Sequence, residues 1–143
     1  MNARIALLTA LLASPVFAQP VTSASKSTGI NRQILPKVLN TQLSRKNFVL
    51  INVHVPYEGE IPGTDLLIPF DQMVGNPKLP TSKAAQIVVY CRSGRMSEIA
   101  LQTLLKAGYI NVRELTGGMN AWQSSGFNLL QRTNRLQQWF VQF

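Results

Sequence analysis

Two short runs of branched apolar residues, Phe48-Val49-Leu50-Ile51-Asn52-Val53 and Ile87-Val88-Val89-Tyr90, show no apolar–polar alternation. A strand with one wet face alternates. A continuous run belongs to a strand covered on both faces, as in a parallel sheet packed between helices. Helical patterns separate the strand candidates. Pro36 suits the first turn of a helix whose apolar face is Val38, Leu39 and Leu43. After the second run, Ser97 to Ala107 places Ile99, Ala100, Thr103, Leu104 and Ala107 at helical spacing, and Gly108 follows as a C-terminal cap. Leu66-Leu67-Ile68-Pro69 reads as a short strand ended by proline, and Val112-Arg113-Glu114-Leu115 as another. Gly117-Gly118 then turns the chain into a helix carrying Ala121 and Trp122. Strands alternating with crossover-length helices predict an α/β domain with a central, mostly parallel sheet and helices on both faces.

The chain has 143 residues, enough for one core and one domain. Residues 1–18 read as a signal peptide: Arg4 supplies a positive start, Ile5 to Leu12 are apolar, and Val16-Phe17-Ala18 offers a cleavage site before Gln19. That apolar stretch is shorter than the roughly 20 residues of a membrane span. Residues 19–31 are rich in Ser, Thr and Ala without periodicity and read as a flexible N-terminal arm. Residues 32–128 form the expected domain. Residues 129–143, with Leu136, Trp139, Phe140 and Phe143, are expected to pack on it as a C-terminal extension.

The only cysteine, Cys91, ends the second apolar run and precedes the helix. Ligands of parallel sheets bind at the carboxyl ends of the strands, where Cys91 lies. A strand-to-helix turn surrounds a sulfur with backbone N–H groups and the positive end of a helix dipole. Arg92 and Arg95 add charge in Cys91-Arg92-Ser93-Gly94-Arg95-Met96-Ser97. Such surroundings favour the thiolate, which is the nucleophilic form. A lone thiol cannot form an internal disulfide, so in an oxidising compartment it is a liability unless the protein uses it.

The net charge of +8 is spread along the sequence. Without lysine runs or interleaved aromatics it points to small anions and solubility rather than nucleic acid.

Four segments spanning about residues 33 to 127 carry a family resemblance. Phe48 to Val53 is similar to a first core strand, and Glu60-Ile61-Pro62-Gly63 to a Gly-His-Ile-Pro-Gly turn. Val88-Val89-Tyr90-Cys91-Arg92-Ser93-Gly94 resembles an active-site strand and loop. Leu115-Thr116-Gly117-Gly118-Met119-Asn120-Ala121-Trp122 resembles a Gly-Gly-x-x-Ala-Trp signature. Together they resemble the single-domain rhodanese-like sulfurtransferases, and the resemblance implies that the mostly parallel central sheet is five-stranded. The resemblance implies that Cys91 carries a sulfane sulfur as a persulfide. A small anionic donor such as thiosulfate would bind through Arg92, Ser93, Gly94, Arg95, Met96 and Ser97. A thiophilic acceptor, cyanide or a thiol, would then remove the sulfur, and a protein acceptor is a further candidate. No cofactor, metal, nucleic acid or stable membrane anchor is implied, and the leader places the protein in a bacterial periplasm.

Three positions depart from the family pattern. Asn52-Val53-His54 stands where Asp and Arg are common, Glu60 replaces the turn histidine, and Met96 replaces a loop arginine, with Arg95 one place earlier. His54, the only histidine, is expected to support the structure. A non-catalytic binding or sulfur-relay module is the alternative reading. A cysteine phosphatase or arsenate reductase on the same fold is a second. It is disfavoured because Ser97, then Glu98, occupy the place of the arginine that closes a phosphate loop.

Overall fold

A computed structural model describes residues 31–132. The signal peptide, most of the N-terminal arm and the aromatic residues of the tail lie outside the described residues. Five strands form one sheet: β1 (Gln33–Ile34), β2 (Val49–Asn52), β3 (Leu66–Leu67), β4 (Ile87–Tyr90) and β5 (Val112–Leu115), in the order β1-β5-β4-β2-β3. Every pairing is parallel, so the sheet is wholly rather than mostly parallel. Three helices, α1 (Pro36–Leu43), α2 (Arg95–Lys106) and α3 (Gly118–Ser124), cover it.

The unbroken apolar runs are explained by two cores. Ile51, Ile87, Val89 and Val112 point to one face and meet Ala100, Leu101 and Leu104 of α2. Leu50, Val88, Tyr90 and Leu115 point to the other and meet Leu39 of α1 and Met119 and Trp122 of α3. Successive residues of a strand face opposite ways, so both sets must be apolar.

Several expectations shift. Strand β1 was not anticipated, because two residues carry no periodicity; it exists through pairing of Gln33 and Ile34 with Glu114 and Leu115. Helix α2 starts at Arg95 rather than Ser97, and its buried residues are Ser97, Ala100, Leu101 and Leu104. Ile99 is exposed, since the sheet contacts a stripe rotated toward Leu101. Val38 is exposed as well, leaving Leu39 to anchor α1. At the start of the tail, Leu130 forms an antiparallel bridge with Glu60, and Arg132 forms an ion pair with the Glu60 carboxylate at 2.6 Å.

Strand β4 is central. The chain leaves β2 toward β3 and leaves β4 toward β5, so the crevice opens at the carboxyl end of β4. Cys91 follows directly.

Candidate active site

Alternation along β4 sends Cys91 to the same face as Ile87 and Val89, toward α2. Its residue surface is 1% exposed. Three residues, Arg92, Ser93 and Gly94, carry the chain from there to α2. Gly94, with φ of 107°, makes the reversal that brings its own N–H to 3.0 Å from Cys91 Sγ. A side chain at that φ would be strained, whereas glycine adopts it freely. One turn into α2, the buried Ser97 places Oγ 3.6 Å from the same sulfur. The sulfur therefore lies between a backbone donor and a hydroxyl at the start of a twelve-residue helix. This arrangement stabilises negative charge there.

The loop is held from below by α3. The N–H of Met119 donates to the Cys91 carbonyl at 2.8 Å, and that of Asn120 to the Arg92 carbonyl at 2.9 Å. Gly118 permits this approach, because a β-carbon there would stand 2.3 Å from the Cys91 carbonyl oxygen. The Gly-Gly pair thus acts as the seat of the cysteine loop.

The two arginines do not converge on the sulfur. Arg92 forms an ion pair with Glu58, which lies 2.9 Å from His54 Nε2. The Arg92 guanidinium beside it holds the Glu58 carboxyl below its ordinary range, with His54 adding to the effect. His54 is mostly buried, and its Nδ1 has no partner among the described residues. Arg95 is exposed on the first turn of α2. Ser93 is exposed too, and Met96 packs against the α2-side core. Of the seven loop residues singled out from the sequence, Cys91, Gly94 and Ser97 are brought together. Arg92 borders a solvent-open cavity of about 410 Å³ with Glu58, Asn120, Gln123 and Gln131.

Asn52 accounts for the missing Asp–Arg clamp. Its Nδ2 donates to the Gly59 carbonyl at 2.9 Å, and its Oδ1 accepts from the His54 N–H at 2.9 Å. A neutral amide thereby fastens the loop that carries Glu58. Tyr90 fastens the next segment, its hydroxyl accepting from the Ile61 N–H at 2.9 Å and lying 2.6 Å from Thr64 Oγ1.

Sequence reasoning missed Glu114. This buried residue of β5 accepts a hydrogen bond from Ser97 Oγ at 3.0 Å, one atom removed from the sulfur. Burial pushes its carboxyl above the ordinary range, and Glu98 nearby adds to the rise. The signal was available: Glu114 stands two residues from Val112 on the same face of its strand, and a carboxylate turned into a core must be paired or neutral.

The chain matches the model of the rhodanese-like domain over residues 35–125. It belongs to the rhodanese-like domain family. This rhodanese-like chain is 32% identical over 113 residues to the uncharacterized protein slr1261 of Synechocystis, covering 77% of this chain and 62% of that one. It is 32% identical to a sulfurtransferase of Allochromatium vinosum, covering 59% of this chain and 80% of the other. To the probable adenylyltransferase/sulfurtransferase MoeZ of Mycobacterium tuberculosis it is 34% identical over 75% of its own length, but it spans only 27% of that protein. Among solved structures, the rhodanese-like domain of the Anabaena protein Alr3790 is similar with a TM-score of 0.63 at 26% identity, covering 73% of this chain and 85% of that one.

Proposed function

We propose that this rhodanese-like protein is a sulfurtransferase that carries a sulfane sulfur on Cys91. The Gly94 N–H at 3.0 Å from Cys91 Sγ carries the reading, because it stabilises an anionic sulfur without any charged side chain. Relatives named sulfurtransferase support the class. In the first half-reaction the Cys91 thiolate attacks the outer sulfur of thiosulfate. The new S–S bond forms as the bond to the sulfonate sulfur breaks, and sulfite leaves with that electron pair. Cys91 is left as a persulfide anion, and total charge is conserved. In the second, a thiophile such as cyanide or a thiolate attacks the outer sulfur and returns Cys91 as thiolate. Gly94 and Ser97 bound the sulfur, Ser93 faces the solvent side of the loop, and Met96 packs into the core behind it. Arg92 and Arg95 attract the donor from outside.

The cavity beside Arg92 supports an acceptor larger than cyanide, such as the thiol of a peptide or a protein carrier. Similarity to MoeZ, named a probable adenylyltransferase/sulfurtransferase, supports sulfur transfer to a further acceptor. The signal-peptide pattern read in residues 1–18 supports a periplasmic location. No helix among the described residues is long and apolar enough to cross a membrane.

Intact-mass measurement after thiosulfate treatment tests the mechanism. One added sulfur is expected on the wild type and none on Cys91→Ala; an unmodified wild type overturns it. N-terminal sequencing of protein from a periplasmic extract tests the location, with Gln19 expected first.

A further inference from the structure

The buried polar groups around Cys91 leave one account open. Ser97 Oγ has a single hydrogen and three acceptors within reach. These are the Gly94 carbonyl at 2.9 Å, Glu114 Oε2 at 3.0 Å and Cys91 Sγ at 3.6 Å. A hydroxyl can donate one bond and accept others, so where that hydrogen points depends on which neighbour needs it. Glu114 decides the matter, because it is the only one of the three besides the sulfur that changes charge. As a carboxylate it accepts from Ser97, and the serine then turns a lone pair to the sulfur. As a carboxylic acid it donates to Ser97 Oγ, and the serine hydrogen is released.

We propose that Glu114 is a positioning residue for Cys91, acting through Ser97, so that the sulfur and the carboxylate share one negative charge between them. The inference rests on Cys91 as the reacting sulfur. When the thiol ionises, its S–H proton passes to Ser97 Oγ while the serine's own O–H proton passes to Glu114 Oε2. One S–H and one O–H bond break, two O–H bonds form, and the pair stays at a single negative charge. The serine ends with its hydrogen directed at the thiolate, where it joins the Gly94 N–H as a second donor. A persulfide anion at the same place is held in the same way.

The surroundings favour this exchange over solvent titration. From α2, Glu98 faces Glu114 and opposes its ionisation. From β1, the neutral side chain of Gln33 approaches it. Among the described residues no arginine forms an ion pair with it: Arg32 Nη1 is spent on the carbonyls of Ile110 and Val112, and Arg113 Nη2 on Gln42 of α1 across the sheet. Arg92 is occupied by Glu58. A buried carboxylate without a cation is costly, and accepting a proton from a neighbour removes that cost. The protonated carboxyl, not the carboxylate, is therefore the partner of the thiolate.

The test follows the ultraviolet absorbance of the thiolate at neutral pH, with Cys91→Ser as blank, in a double-mutant cycle. Glu114→Gln keeps the shape of the side chain, and its amide donates to Ser97 at every pH, so the thiolate-to-thiol ratio is expected to rise. A neighbouring charge alone would also raise it. The relay requires the rise to be about tenfold larger with Ser97 present than in a Ser97→Ala background, the worth of one charge-assisted hydrogen bond. Ser97→Thr, which keeps the hydroxyl, should restore the coupling. Equal effects in both backgrounds overturn the proposal. If Glu114→Gln does not fold, carbon-13 titration of the Glu114 carboxyl reads the same coupling. It should move to lower pH in Cys91→Ala, and an unchanged titration overturns the proposal. The readout is the thiol itself. Failure to form a persulfide would therefore overturn the sulfur-transfer reading and leave this result standing.

Discussion

Gly118 presses against Cys91 from the opposite side of the loop, so closely that its missing β-carbon would lie 2.3 Å from the Cys91 carbonyl oxygen. The same residue has φ of 58°, a conformation that side chains resist. Gly118→Ala combines backbone strain with a clash against backbone that cannot move freely. It should cost about 2–4 kcal/mol of stability. Thermal unfolding measures that loss, and intact mass after thiosulfate should show the persulfide reduced or absent. A variant with wild-type stability and a full persulfide would show that α3 does not seat the loop.

The Arg92–Glu58 pair makes a prediction about the donor. Glu58 neutralises the arginine that directly follows Cys91. Glu58→Gln should free that charge and lower the thiosulfate KM several-fold, by roughly the worth of an exposed ion pair. Arg92→Ala should raise it. Arg92 holds the Glu58 carboxyl below its ordinary range, so the pair persists above the usual carboxylate value. It is lost only as pH falls through the lowered value. The KM of the wild type should therefore approach that of Glu58→Gln in acid, in steady-state assays at matched ionic strength.

Glu114 predicts a pH dependence of opposite sign. Its carboxyl is raised in the folded protein, so the folded state binds the proton more tightly than the unfolded chain. The stability this contributes is complete below the ordinary carboxylate value and is lost as pH rises through the raised one. Denaturant titrations across that window should show wild-type stability falling. The same titrations on Glu114→Gln should be flatter. Parallel curves would mean that the carboxyl is not perturbed.

Tyr90 joins the active-site strand to the loop that turns at Gly63. Its hydroxyl is the partner of the buried Ile61 N–H. Tyr90→Phe leaves that donor unsatisfied and should cost about 1–3 kcal/mol. Burial raises the Tyr90 hydroxyl from 10.0 to about 12, so the folded protein keeps its proton where the unfolded chain has lost it. Wild-type stability should accordingly contain a component that declines between those values and is missing in Tyr90→Phe, measurable by chemical denaturation in alkaline buffer.

The sheet was legible in the sequence because its central strands must be apolar on both faces. Leu50 beside Ile51, and Val88 beside Val89, can be read without knowing what covers them. The place of Cys91 followed, since an apolar run entering an amphipathic helix leaves one turn in which a reactive side chain can sit. Strand β1 was not legible, because two residues become a strand only through hydrogen bonds to β5.

Within the site, the sequence by itself determined that Cys91, the glycine of the turn and the serine on the helix come together, since these lie within seven consecutive residues and their relation is set by local backbone geometry. Only the tertiary structure decided the electrostatics. Arg92 is close to Cys91 in the chain, yet its long side chain reaches Glu58 on another loop. Glu114, 23 residues beyond Cys91, arrives beside Ser97 because β5 pairs with β4 and α2 packs across both. Backbone turns are local, whereas charges act through space, and the distances through which they act exist only once the strands are side by side.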